Sequence, residues 1–223
     1  MAALYLYKTR HNFAILTYMK SLSLAKPHLI VMVGVPGAGK SFFASQFADM
    51  FNAPCVSYDQ IRATITNNQP VFSRVEQEIV DELAHDQLDQ LLVTKTTIVI
   101  DGGSDTRTSR QEMARRARVN GYKTLFVWVQ TDPNTAKQRA TVGTRGRGSQ
   151  PVLLDHEQYM SIIRRFTPPN QNESFIVISG KHTYATQAKT VLKKLSEPRA
   201  VQPTSPPNPE NRHDKPGRRV IVR

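Results

Sequence analysis

Apolar and polar positions along the 223-residue chain fall into two alternating rhythms. Continuous apolar runs at residues 29–33, 53–57, 97–100, 123–130 and 175–179 read as strands, several of them rich in β-branched side chains as strands buried on both faces are. Between them, residues 42–51, 59–66, 107–120, 133–141 and 183–195 read as helices. The longest helical pattern places Val75, Ile79, Val80, Leu83, Leu88, Leu91 and Leu92 on one face and acids on the other, an amphipathic helix of about five turns. A polar turn at residues 67–70 precedes it, and Gly121 stops the helix of residues 107–120. This alternation predicts an α/β fold, a doubly wound parallel sheet of about five strands with helices on both faces. Ligands bind at the carboxyl ends of such strands. Gly34, Ser57, Asp101 and Gln130 stand at or just beyond those ends and are expected to share one crevice.

Composition divides the chain into three parts. Residues 1–27 hold four Lys or Arg and no acid; they read first as a poorly ordered basic leader or, with Met19 the start, as partly untranslated, and a transit peptide, which they resemble in composition, is the alternative. Residues 28–195 form the expected domain. Six of the 14 prolines fall in residues 196–223, which have few apolar positions before Val220. Such a segment cannot offset the entropy of ordering itself, and it reads first as a disordered, solvated tail. Its GRRVIVR end is a candidate docking segment. No apolar run approaches the roughly 20 residues of a membrane helix. The single cysteine, Cys55, excludes an intramolecular disulfide and a Cys-rich metal site, and a reducing cytoplasm is the expected location.

The net charge of +12 invites a nucleic-acid reading, yet only +5 of it lies in residues 28–195. Within that part residues 107–147 carry 10 basic side chains against Glu112 and Asp132, whereas residues 76–89 carry six acids and neither Lys nor Arg. A basic flank suits an anionic substrate; a solvated helix face accounts for many of the same arginines.

The chemistry is concentrated in GVPGAGKS, residues 34–41, set between a strand and a helix. That is the context of a phosphate-binding P-loop, in which glycines let backbone N–H groups turn inward on a phosphate at a helix N-terminus. Gly34, Gly37, Ala38, Gly39, Lys40, Ser41 and Phe42 are the expected nucleotide contacts. Lys40 would reach the β and γ oxygens and the Ser41 hydroxyl would ligate Mg²⁺. A nucleoside triphosphate, ATP with Mg²⁺, is thus the expected ligand, although no base-reading motif separates ATP from GTP.

Three further stretches bear on what happens to the γ-phosphate. In SYDQIR, residues 57–62, Asp59 is placed to accept an acceptor hydroxyl's proton, and Arg62 to hold an anionic group of the acceptor. An N-cap role explains Asp59 equally well. Asp101, closing an apolar strand, fits a carboxylate kept near Mg²⁺, and a contact with the acceptor is the alternative. Gly102 and Gly103 follow it, and Arg107 and Arg110 open the next helix. Residues 139–151 set Arg139, Arg145 and Arg147 among Gly143, Gly146 and Gly148 between two helices, the composition of a lid that closes over phosphates or of a plain surface loop.

Together these motifs over residues 28–169 resemble the polynucleotide 5′-hydroxyl kinase domain and its wider ATPase-like kinase group. The resemblance implies phosphate and Mg²⁺ binding by Lys40 and Ser41, a general base at Asp59, an acceptor-phosphate contact at Arg62 and a lid role for Arg139. The lid pattern departs from the family's Arg-Asn-x-x-Arg, because Ala140 follows Arg139 and Gly143 holds the second arginine's place. The expected function is a Mg-ATP-dependent kinase acting on a nucleic-acid 5′-hydroxyl. A small-molecule kinase and a non-catalytic ATP-binding switch are the alternatives.

Overall fold

The computed structural model describes residues 26–66, 73–143 and 153–196. The leader up to residue 25, the turn at residues 67–70, the lid arginines Arg145 and Arg147, and the tail from residue 197 lie outside the described residues.

Apolar runs become five parallel strands: β1 (His28–Val33), β2 (Cys55–Ser57), β3 (Ile98–Asp101), β4 (Lys123–Gln130) and β5 (Phe175–Ser179). They lie side by side in the order β2-β3-β1-β4-β5. The centre of the sheet is therefore β1, every residue of which is buried. Side chains along a strand alternate between the two faces, so each face gathers its own core. Leu29, Val31, Val33, Ile98 and Ile100 pack with Val80, Leu88, Met113 and Ala117, the inner residues of α3 (Arg74–Leu92) and α4 (Arg107–Val119). Ile30, Met32, Val99, Val127 and Val129 pack with Phe43, Phe47, Ala188 and Val191 from α1 (Lys40–Phe51) and α7 (Tyr184–Ser196). Each of these large apolar side chains contributes about 1.5–3 kcal/mol by leaving water. Phe43 and Phe47 also stack, with ring centroids 5.3 Å apart.

Register then brings the chemistry level. Met32 pairs with Asp101, and Asp101 with Ser57, so the carboxyl ends of β1, β3 and β2 finish within one residue of each other. From this edge α2 (Tyr58–Thr66) follows β2 and α5 (Pro133–Thr141) follows β4, and α6 (His156–Arg165) packs against α5. Asp155 and Gln158 close a capping box at the start of α6, the helix beyond the lid segment, for which the hydrophobic pattern sets no bounds.

The sequence reading needs correction at four places. Strand β2 begins at Cys55 rather than 53, because Asn52 turns left-handed (φ 49°) to cap α1 and the Ala53 amide still bonds to Ala48. Strand β3 begins at Ile98 rather than 97. The seven apolar positions of α3 do not share one buried face: Val80, Leu88 and Leu92 are buried, whereas Val75, Ile79 and Leu83 are exposed. Conversely Glu76 is buried instead of facing solvent with the other acids. The sheet covers only the ladder 76, 80, 84, 88, 92, which is narrower than the apolar stripe.

Candidate functional site

The phosphate loop leaves β1 through Gly34, whose φ of 145° is open to glycine alone, and a Cβ there would meet the Val129 carbonyl oxygen at 2.6 Å. The loop is held from behind as well. Thr131, just past β4, donates its hydroxyl to the Ala38 carbonyl at 2.9 Å. Gly180, just past β5, leaves no room for a Cβ between Ala38 and Thr131. Neighbouring strand ends thus fix the loop's shape before any ligand arrives. The loop's own glycines signalled that shape; Thr131 and Gly180 escaped the sequence reading, although Gly180 directly after the last strand was a usable sign.

Lys40 folds back on the loop, donating to the carbonyls of Gly34 at 2.7 Å and Val35 at 3.1 Å. Its neighbour Ser41 stands near enough to the Asp101 carboxylate for its hydroxyl to favour the ionised form. Asp101 is only 7% exposed. Burial pushes its carboxyl above the usual carboxylate range, the Ser41 hydroxyl and the Lys40 charge pull the other way, and the charge of Asp59 adds to the upward push. Lys40, Ser41, Asp59 and Asp101 therefore feel one another across a single crevice. Phe42 is 58% exposed at the start of α1, beside Ser41. Gln130, expected in the same crevice, is exposed and uses its carbonyl to hold the Gly180 amide.

Asp59 sits in the first turn of α2 with 78% of its side chain exposed. It does not cap the helix, because the Ser57 hydroxyl accepts from the Gln60 amide at 3.4 Å. That removes the capping explanation for the carboxylate. Arg62, one turn on, donates to Asp59 at 3.0 Å and to Gln77 at 2.7 Å, with its Nε 3.6 Å from Glu76. Glu76, on the first turn of α3, has no hydrogen-bond partner for either carboxylate oxygen, so Arg62 is the cation that offsets its burial. The Tyr58 ring lies flat against Gly102 and Gly103, where a Cβ on Gly102 would stand 2.7 Å from that of Tyr58. This contact joins the helix carrying Asp59 to the strand end carrying Asp101. Ser104, fully buried, donates to the Met32 carbonyl at 2.6 Å and ties the same loop to β1.

Arg139, on the last turn of α5, donates to the Gly180 carbonyl at 3.5 Å, which sets it beside the loop that braces the P-loop. Much of the basic stretch behind it is already spent. Arg110 is fully buried, gripping Glu173 with Nε at 2.6 Å and Nη2 at 3.1 Å, while Nη2 also donates to the Pro168 carbonyl and Nη1 to those of Ser104 and Thr167. Arg115 and Arg116 pair with Glu112, and Arg116 also pairs with Asp89. Residues 107–119 thus make far less of a polyanion surface than their composition promised.

The oxygen donors of Ser41 and Asp101 are of the hard type Mg²⁺ prefers. Among the described residues no three His, Cys, Asp or Glu gather into a metal site of their own. The set fits an ion that takes its remaining ligands from substrate phosphates and water, the usual manner of Mg²⁺.

Residues 29–169 match the family model described as AAA domain. Among characterised proteins the chain is similar to a shikimate kinase of Corynebacterium glutamicum, 28% identical over 142 residues that cover 63% of this chain and 79% of that protein. Among solved structures it is similar to a sugar kinase from Janibacter sp. HTCC2649, with a TM-score of 0.55 at 19% identity over 76% of this chain and 94% of that one. It is also similar to a chain of the Pnkp1/Rnl/Hen1 RNA repair complex, with a TM-score of 0.51 at 21% identity over 66% of this chain and 46% of that one. At such identities the two structural likenesses establish the fold. The family match spans more than half of the chain and contains the whole phosphate-loop crevice, and the chain belongs to the AAA domain family as a P-loop kinase.

Proposed function

We propose that this Mg-ATP-dependent phosphotransferase passes the γ-phosphoryl group to a hydroxyl of a small polar molecule held between the P-loop and α2. The observation that carries the reading is the common level at which β1, β3 and β2 end, which gathers Lys40, Ser41, Asp101 and Asp59 at one edge of the sheet, with Arg62 bonded to the last of them. In it, Lys40 leaves its carbonyl partners for the β and γ oxygens of ATP, and Ser41 and Asp101 hold Mg²⁺. Bound Mg²⁺ supplies neutralisation of phosphate charge. Asp59 accepts the proton as the acceptor oxygen attacks the γ-phosphorus and the bond to the β-bridging oxygen breaks, releasing ADP. Arg62 keeps the Asp59 carboxylate aimed and meets an anionic group of the acceptor. Arg139 stands at the lid side, Gly34, Gly37, Ala38 and Gly39 cradle the phosphates, and Phe42 borders the nucleotide. Residues 28–195 are the catalytic unit in this reading, and the cytoplasm is where it works.

A small acceptor is favoured over the nucleic-acid 5′-hydroxyl for two reasons. Helix α3, which brings Glu76 and Gln77 to Arg62, carries an acidic face that repels a polyanion, and Arg110, Arg115 and Arg116 are engaged within the protein. The shikimate kinase and the sugar kinase are also named for small hydroxylated acceptors. The test is transfer of labelled phosphate from ATP to a panel holding shikimate, other hydroxy acids, sugars and a 5′-hydroxyl oligonucleotide. Labelling of a small acceptor is expected. Labelling of the oligonucleotide alone restores the polynucleotide kinase reading, and tight ATP binding without any transfer leaves the switch.

A further inference from the structure

The solvent face of α3 carries two parallel ladders at i, i+4, i+8 spacing. Val75, Ile79 and Leu83 form the apolar one, 65%, 41% and 43% exposed. Glu78, Glu82 and Asp86 form the other. Like charges four residues apart on a helix repel. Among the described residues Glu78 has only the exposed Arg74 for a partner, and neither Glu82 nor Asp86 has a cation. A face that is apolar and acidic at once, and that weakens its own helix, calls for a ligand that carries apolar and cationic groups close together.

We propose that the segment Arg218, Arg219, Val220, Ile221, Val222 and Arg223 of this chain docks on that face. Within six residues the segment carries three arginines and three β-branched side chains, and extended it shows both kinds on each side, Arg218, Val220 and Val222 on one and Arg219, Ile221 and Arg223 on the other, a mixed cationic and apolar complement to the mixed face. The ladders run about 12 Å along the helix axis, within the reach of six extended residues at about 3.3 Å each. The intervening residues 197–217 are rich in proline and extend to about 65 Å, more than the roughly 40 Å across a domain of this size. The three aliphatic side chains expose only about 250 Å² together, well under the roughly 800 Å² per partner that a stable dimer buries. A short tethered segment needs no such area, because the tether holds it at an effective concentration in the millimolar range. The leader is basic and apolar too, but its four cations are spread over residues 8–26, whereas residues 218–223 hold three in six.

Disulfide trapping in the full chain tests this. In a Cys55→Ser background, Leu83→Cys is paired with Val222→Cys, and the control pairs Val222→Cys with Val119→Cys, which is 75% exposed at the end of α4. Under dilute, mildly oxidising conditions the first pair should close within one molecule at least tenfold faster than the control. Adding Glu78→Gln, Glu82→Gln and Asp86→Asn should bring it down to the control rate, with thermal melts confirming the fold of each variant. Equal rates in the two pairs overturn the proposal, as does a rate indifferent to the three carboxylates. A disulfide formed mainly between molecules overturns it in favour of a second copy, and a preference that emerges only after deletion of residues 2–25 shows that the leader holds the face instead.

Discussion

Replacing Asp59 by Asn separates catalysis from stability more cleanly than any other single change. The side chain is 78% exposed, and among the described residues its one bond is an i, i+3 pair with Arg62 at 3.0 Å. Such pairs contribute at most about 1 kcal/mol, which for a chain of this length is a fall of roughly 2–4 °C in Tm. The cap of α2 is untouched, because Ser57 supplies it. Loss of a positioned base, in contrast, costs about 10² to 10⁴ in turnover, equivalent to roughly 2.7–5.4 kcal/mol in the barrier. The two effects differ enough to be told apart in one set of measurements: steady-state transfer to the acceptor found by the panel, calorimetric Mg-ATP affinity and a thermal melt. Asp59→Asn should melt and bind ATP nearly as the parent does, while kcat falls at least a hundredfold. Arg62→Ala is the contrasting variant, since it strips the cation from the buried Glu76 and should lose about 3–5 kcal/mol of stability besides activity. Equal turnover of Asp59→Asn and the parent refutes base catalysis at this position.

Lys40→Ala should weaken Mg-ATP binding by calorimetry and abolish transfer, and Ser41→Ala should lose transfer through the Mg²⁺ site; unchanged activity in either removes the P-loop assignment. Asp101→Asn should stabilise the nucleotide-free protein at neutral pH. The Asp101 carboxyl titrates above its unfolded value, so its favourable contribution is present below the ordinary carboxylate range and is lost as pH rises through the raised value. Urea melts at pH 4 and pH 8 check this, with the gain expected at pH 8 and a gain confined to pH 4 contradicting the sign. Arg110→Met should cost about 3–5 kcal/mol by leaving Glu173 buried without its cation, and a loss under about 1 kcal/mol would show that the network relaxes around the gap.

Strands, helices and the phosphate loop were legible in the sequence because each depends on neighbours a few residues away: β-branched runs for β1 and β3, glycines 34, 37 and 39 for the loop, periodicity for α4 and α7. The same local logic flagged Asp59 and Asp101, since a polar residue after an apolar run marks a strand's carboxyl end. What lay beyond reach were relations spanning dozens of residues. A shared crevice at the strands' carboxyl ends was expected, but nothing in the pattern says that β1 lies between β3 and β4 or that Met32, Asp101 and Ser57 stand level. Composition counted Arg110 and Arg116 as surface charge, and only the packing of α4 against the 167–173 turn and α3 shows them paired with Glu173 and Asp89, while Arg115 pairs with Glu112 within α4 itself. The periodicity of α3 measures how many apolar residues a helix owns, whereas the width of the sheet beside it decides how many it can bury, and that difference leaves Val75, Ile79 and Leu83 facing water.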